Sequence, residues 1–224
     1  MRRAEDQDPA TPAAAGSDGW LPREFFDRPS TEVAPDLIGC VFWSDSPEGR
    51  VAVKLVEVEA YEGEADPASH AFRGRTRRNA VMYGPAGHAY VYFTYGMHFC
   101  VNLVCQPPGA ASAVLLRAGQ VVEGAELAAA RRPAGRATAS ARERDLARGP
   151  GRLCQALGID RAWDGTDVCT PGSRLGIGPP DSADGKLRVS RGPRIGITRA
   201  ADWPLRFWLT GDRHVSAHQR VTAS

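Results

Sequence analysis

The sequence predicts a single domain of the α/β (α+β) class with more strand than helix. Apolar, strand-like runs recur through the chain, whereas helical patterns are few and short. The 224 residues, 42% of them apolar, suffice for one sizeable core. We expect a globular domain at residues 20–217, a disordered tail rich in Ala, Pro, Asp and Gly at 1–19, and a short C-terminal tail at 218–224.

Each element is assigned from its local pattern. A short helix begins at Ser30 or Thr31 and runs to Gly39, and Pro35 keeps it short. A second helix is predicted at 125–132, and a third, with proline near its start and glycine just past its end, at 149–158. Strands are predicted at 41–43, 51–61, 90–94, 98–104, 114–117, 175–177, 187–190, 194–197 and 205–209.

Two of the connecting segments are predicted to be long loops. Residues 62–85 hold Gly, Pro, Asp and Arg without periodicity, which indicates a long functional loop. Residues 133–144 form a second flexible segment. The helix at 149–158 is assigned a structural role, and residues 173–209 are expected to contribute no site chemistry of their own.

Composition excludes several classes. The formal net charge of +2 does not by itself indicate a polyanionic partner, but the arginines cluster at 73–78 and 131–152, which suggests phosphate contact or simply a solvated face. Five cysteines without a C-x-x-C pair argue against a disulfide framework or zinc site. No apolar stretch has membrane-spanning length, and the acidic N-terminus lacks a signal peptide, so we expect a cytoplasmic protein.

Two strand-like runs carry the chemistry. Successive side chains on a strand point to opposite faces, so Glu57, Glu59 and Tyr61 share one face and the intervening apolar residues the other. The run at 90–95 is dense in aromatic rings. Tyr95 lies near a predicted hairpin tip, where a bulky ring has little reason to be unless it meets a partner.

The order of these residues resembles the alkyladenine (3-methyladenine) DNA glycosylase family over residues 20–217. The resemblance is carried by Val58-Glu59-Ala60-Tyr61, His70, Arg78-Asn79, Tyr90-Val91-Tyr92, Tyr95-Gly96-Met97-His98-Phe99-Cys100-Val101-Asn102, Val114-Leu115-Leu116-Arg117-Ala118, Gly149-Pro150, Leu153-Cys154-Gln155-Ala156-Leu157, Arg194-Ile195-Gly196-Ile197 and Pro204-Leu205-Arg206-Phe207. It implies one domain with a curved, largely antiparallel sheet flanked by short helices. It also implies a monofunctional enzyme that flips damaged purines out of duplex DNA and hydrolyses the N-glycosidic bond.

The resemblance also implies roles for individual residues. Glu59 matches the catalytic carboxylate that activates water, and Arg117 a residue beside that water and the target phosphate. Tyr95 matches the residue that wedges into the duplex. The remaining matches are Tyr61, His70 and Tyr92 in the base-stacking pocket, Asn102 against the purine edge, and Arg75, Arg78 and Met97 as further DNA contacts.

Taken singly, these residues have ordinary interpretations: a strand Glu is usually solvent-facing or ion-paired, and a lone His is usually structural. A lyase that forms a Schiff base would need an amine, but Lys54 and Lys186 match no such role. A catalytically inactive DNA- or RNA-binding module would keep the arginines and tyrosines without requiring Glu59.

No cofactor is expected, and the five histidines include no metal-ligand spacing. The expected partner is damaged double-stranded DNA, with no membrane. We expect a monomer associated with the nucleoid. His98 stands where animal members of the family carry tyrosine, and the loop at 73–81 is about one residue shorter, so lesion range and loop contacts are open.

Overall fold

One curved antiparallel sheet dominates the computed structural model, which describes residues 19–94, 96–132 and 143–216. In the described residues the strands are β1 (Val41–Ser46), β2 (Gly49–Tyr61), β3 (Ala89–Thr94), β4 (His98–Cys105), β5 (Ser112–Glu123), β6 (Leu175–Gly178), β7 (Val189–Gly192) and β8 (Arg206–Leu209). The predicted tails, apart from Gly19, and most of segment 133–144 lie outside these residues. The predicted α/β class and antiparallel sheet are confirmed.

Strand β2 is the centre of this sheet. The strand order is β3-β4-β5-β2-β1-β6, and β7 pairs with β8. Along one edge β2 pairs with β5 from Ala52 to Tyr61. Along its other edge β1 pairs with the first half of β2, and β8 pairs with Glu57, Val58 and Glu59. The stretch of β2 that carries both carboxylates is therefore enclosed by a strand on each side.

Two irregularities in the pairing of β2 with β5 decide which side chains face the core. Leu55 pairs with Gly119 and Glu57 with Ala118, so Val56 is an extra residue in β2; Val58 then pairs with Leu116, so Arg117 is an extra residue in β5. Such bulges bend a strand and re-aim its side chains. From β2, the main core contains Val51, Val53 and Leu55 before the bulge, and Val58 and Ala60 after it.

Four short helices cover the sheet in the described residues: α1 (Arg23–Phe26), α2 (Ser30–Asp36), α3 (Ala125–Ala130) and α4 (Pro150–Leu157). Helix α4 has Pro150 in its first turn and ends at Gly158 in the left-handed conformation, φ 66°, as the sequence predicts. Leu153, Cys154 and Leu157 of α4 are fully or almost fully buried in the main core. This packing fixes where the N-terminus of α4 lies.

A smaller apolar cluster anchors the long loop at 62–85. Ala71 and Met82 of the loop pack with Tyr90, Val104 and Ala113 of the sheet and with Ala111, which directly precedes β5. The loop contains single 3₁₀ turns at Gly63–Ala65 and Ala80–Tyr83. Asn79 donates hydrogen bonds from Nδ2 to the carbonyls of His70 and Gly74. These contacts hold the loop against the sheet.

Several predicted elements need correction. Residues 194–197 are not a strand, because their backbone runs as a loop beside β2 instead of pairing in the sheet. Helix α2 ends at Asp36 rather than Gly39, and Pro35 in its last turn has no N–H to donate to a carbonyl of the preceding turn. Strand β5 is much longer than the predicted 114–117, and β7 begins at Val189 rather than at residue 187.

Within the described residues, no helix combines the length and the apolar character needed to cross a membrane.

Replacing Leu153 by Ala is expected to lower the free energy of unfolding by about 2–5 kcal/mol, because this side chain is fully buried and its removal leaves a cavity. Chemical denaturation measures the change. Val122→Thr, at a strand position that is 51% exposed, is the control and should change stability by less than about 0.5 kcal/mol. Equal effects of the two substitutions would contradict the placement of α4 in the core.

Candidate active site

A cavity of about 690 Å³ opens beside β2, β3 and β4. Its size falls within the range of about 300–1,000 Å³ that is usual for small-molecule sites. Five of the predicted site residues line it: Tyr61, His70, Tyr92, Asn102 and Arg117. Residues far apart in the sequence are thus brought together as predicted.

Glu59 does not itself line the cavity, but its three polar partners do. The carboxylate is fully buried. Oε1 accepts a hydrogen bond from the backbone N–H of Ile195 at 2.7 Å and lies 3.2 Å from Nη1 of Arg117. Oε2 accepts one hydrogen bond, from the Tyr61 hydroxyl at 3.0 Å. Oε2 is therefore the oxygen with fewer partners.

Arg117 connects Glu59 to a second buried carboxylate. Its Nε donates to Oε1 of Glu57 at 3.0 Å while its Nη1 pairs with Glu59. Arg206 of β8 donates from Nε to the same Glu57 oxygen at 2.7 Å. Burial opposes ionisation of Glu57, but the charges of Arg117 and Arg206 and the hydrogen bonds from Ser216 outweigh it and hold its pKa below the usual value.

Aromatic rings form much of the cavity wall. The rings of His70 and Tyr92 meet edge to face with centroids 4.4 Å apart, and those of Tyr90 and Tyr92 lie 5.4 Å apart. The Tyr61 ring is covered by the guanidinium of Arg194 at 4.5 Å. Arg194 is in turn paired with buried Asp66. Stacking surfaces of this kind suit a flat heterocycle.

His70 is held in the wall by two contacts. Its Nδ1 lies 3.1 Å from the Tyr90 hydroxyl, and its carbonyl accepts from Asn79 at 2.9 Å. Burial first, and then the nearby charge of Arg78, lower the pKa of His70 to about 4. The ring is therefore neutral at neutral pH, and it can stack without repelling a cationic ligand.

Asn102 supplies a polar group to the cavity. It lies on β4 opposite Tyr90 of β3, and its Nδ2 donates to the Tyr90 carbonyl at 3.1 Å. Only 5% of its surface is exposed. Its side chain is thereby fixed against the sheet.

The N-terminus of α4 forms another part of the lining, so the purely structural role predicted for this helix is wrong. Gly149, Pro150 and Gly151 border the cavity. A Cβ on Gly151 would lie 2.8 Å from Cγ of His98, so this close approach needs glycine. The arginines that line the cavity with these residues are Arg132, Arg148 and Arg152.

The residues predicted as outer DNA contacts are placed differently from one another. Arg78 is exposed and lies 5.8 Å from the Tyr92 ring, next to the cavity. Arg75 is exposed on the loop and lies over Tyr83. Met97 is 67% exposed at the turn between β3 and β4. Tyr95 lies outside the described residues.

The expectation that residues 173–209 bring no site chemistry is also wrong. Ile195 donates to Glu59, and Ile195, Gly196 and Ile197 line the cavity. Arg206 binds Glu57. The strand patterns in this segment gave no signal for these contacts, although the motifs 194–197 and 204–207 belong to the matched family order.

No group of three or more His, Cys, Asp or Glu in the described part of the chain is placed to bind a metal ion. The five cysteines are free thiols. Lys54 pairs with Asp184 at 2.7 Å, and neither it nor Lys186 lines the cavity.

Comparison with known proteins identifies the family of the chain. The profile of the methylpurine-DNA glycosylase family matches residues 24–213. The chain belongs to this family. The resemblance found from the sequence is thereby confirmed.

The similarity to relatives in this family extends over nearly the whole chain. A protein of Streptomyces avermitilis is 52% identical over 90% of this chain and 93% of its own length. A protein of Burkholderia lata is 47% identical over 96% and 97%, and one of the archaeon Methanocella arvoryzae is 44% identical over 87% and 92%. Each carries the name "Putative 3-methyladenine DNA glycosylase".

Titration of His70, followed by NMR of its ring signals, should give a midpoint near pH 4. Arg78→Ala removes one of the two causes of this low pKa, so the midpoint should rise but stay below the usual 6.5, because burial remains. Arg188→Ala, which changes an arginine distant from the ring in sequence and outside the cavity lining, is the control. A midpoint near 6.5 in the unmodified protein would contradict the described environment.

Proposed function

We propose that the chain is a monofunctional DNA glycosylase of base excision repair. It swings an alkylated or deaminated purine, such as 3-methyladenine, out of duplex DNA and hydrolyses its N-glycosidic bond, leaving an abasic site. One observation carries the proposal: the cavity lining includes both a set of aromatic rings and all three polar partners of the buried carboxylate of Glu59. A stacking surface and a base are therefore adjacent.

The aromatic wall accounts for binding of a flipped base. The target atom cannot be reached inside the stack, and extrusion costs a few kcal/mol, least for a damaged and poorly paired base. Stacking contributes ~1–3 kcal/mol per base, which offsets much of that cost. Tyr61, His70 and Tyr92 supply the rings. A neutral His70 accepts both cationic and neutral purines.

Glu59 acts as the general base. A water in the cavity attacks C1′ of the sugar, the C1′–N bond breaks with its electron pair going to the base, and the proton of the water passes to Glu59. Oε1 is already held by Ile195 and Arg117, so Oε2 accepts the proton after the Tyr61 hydroxyl gives way. Arg117 fixes the carboxylate and faces the water and the target phosphate.

One residue in the cavity discriminates between purines, and four other residues contact the DNA. Asn102, immobilised on β4, meets the purine edge and rejects the exocyclic amine of normal guanine through a clash or an unmet hydrogen bond. Tyr95 fills the gap left in the duplex, while Arg75, Arg78 and Met97 contact the DNA around the lesion. The protein acts as a monomer.

A lyase step is not part of the proposal. Schiff-base formation needs an amine near C1′, and the ion pair of Lys54 with Asp184 occupies its ammonium group away from the cavity lining. Lys186 does not line the cavity either.

Glu59→Gln should reduce the release of 3-methyladenine by about 10²–10⁴-fold while DNA binding is kept, because Gln fills the same space but cannot take a proton. Single-turnover base release and a gel-shift titration measure the two properties. Glu48→Gln, at an exposed turn position, is the matched control. Unchanged release in Glu59→Gln would reject this carboxylate, and no release in any variant or in the unmodified protein would favour a binding module.

Tyr95→Ala should reduce the fluorescence increase of a 2-aminopurine placed beside the lesion, because the vacated space in the duplex is then left empty. Tyr95→Phe retains the ring and should keep most of the increase. Stopped-flow fluorescence measures both variants. A full increase in Tyr95→Ala would show that flipping does not depend on this ring.

A further inference from the structure

Glu57 is a second fully buried carboxylate, two residues before Glu59, and the proposed hydrolysis does not use it. Its Oε1 accepts from Arg117 Nε at 3.0 Å, from Arg206 Nε at 2.7 Å and from the Ser216 hydroxyl at 2.8 Å. Its Oε2 accepts from the Ser216 backbone N–H at 2.7 Å. A carboxylate bound by four donors from three separate segments is a rigid anchor.

Arg117 depends on this anchor for its direction. It is the extra residue of the bulge in β5, so the regular pleat does not set where its side chain points. Glu57 engages Nε, which leaves Nη1 for Glu59. Without Glu57, the planar guanidinium is free to turn one edge, with two N–H groups, toward Glu59 as a bidentate pair.

The C-terminal segment at 215–216 holds this arrangement from the far end of the chain. Ser216 donates twice to Glu57, and its carbonyl accepts from Arg206 Nη2 at 3.4 Å. The carbonyl of Val215 accepts from Nε of Arg148, which lines the cavity, at 2.8 Å. Of these two consecutive residues, one binds Glu57 and the other binds a cavity arginine.

We propose that Glu57 is a positioning residue, which with Ser216 holds Arg117 in the orientation that pairs it with Glu59 through Nη1 alone. This inference rests on the proposed function. It assigns to segment 215–216 the task of completing the site, since Ser216 supplies two of the four donors on Glu57.

A purely structural role for Glu57 would not separate the chemical step from DNA binding. Removing the carboxylate of Glu57 releases Nε of Arg117 and so lets the contact of Arg117 with Glu59 change, which affects the chemical step rather than DNA binding. The groups that face Glu57 are Glu59 on β2, Arg117 on β5, Arg206 on β8 and Ser216. The groups that face Glu59 are Arg117, Tyr61, the Ile195 N–H, Arg194, Tyr92 and Cys100.

The test uses single-turnover release of 3-methyladenine, a cationic base that leaves without protonation, measured in the full-length protein. Glu57→Gln should lower the plateau rate by up to about 10²-fold, as expected when a positioned group is displaced, without a comparable loss of DNA affinity. Ser216→Pro, which removes both the N–H and the hydroxyl donor, should act in the same direction but less, and Ser216→Ala, which removes only the hydroxyl, less still.

Asp184→Asn is the matched control, because it breaks another ion pair to β2, that with Lys54, outside the cavity lining. It should keep the rate. Melting temperatures are measured for every variant. The inference is overturned if Glu57→Gln and Ser216→Pro keep the rate of the unmodified protein, or lose rate only in step with melting temperature or with DNA affinity. If the inference is overturned in this way while Glu59→Gln is inactive in the same assay, only the role of Glu57 is rejected. The proposed function then stands.

Discussion

A buried network of opposite charges, Glu57 and Glu59 against Arg117 and Arg206, is the constraint on which the rest of the site depends. Two carboxylates could not be kept fully buried and charged on one strand unless cations met them from neighbouring strands. Removing one member of such a network usually costs about 3–5 kcal/mol, because the partner is left as an uncompensated charge. The pairing of β2 with β5 and with β8 supplies both guanidinium groups.

The lining of the cavity comes from segments that lie far apart in the chain. The loop after β2, the β3–β4 hairpin, the start of α4 and the loop at 195–197 all contribute. The main core fixes α4, and the smaller cluster fixes the loop at 62–85. A change in either core is thus expected to move one wall relative to another, so the accuracy of the site is a property of the entire domain.

The sequence predicted a large part of this fold and less of the site. Strand alternation found β2 and the shared face of Glu57 and Glu59, and the Pro and Gly signals found α4 almost to the residue. The pattern at 194–197 misled, because alternating apolar residues that line a cavity look like those of a strand. Hydrogen bonds from the Ile195 and Ser216 backbones have no side-chain signature, so no pattern could reveal them.

The bulges at Val56 of β2 and at Arg117 of β5 compensate each other. Val56 adds a residue to one strand and Arg117 adds one to the other, so the register that holds at Leu55–Gly119 is recovered at Val58–Leu116. Loss of a single residue from either strand would leave its partner's bulge unmatched and would turn the carboxylates or the apolar side chains to the wrong side of the sheet. A change in the length of one strand therefore needs a matching change in the other if both faces of the sheet are to be kept.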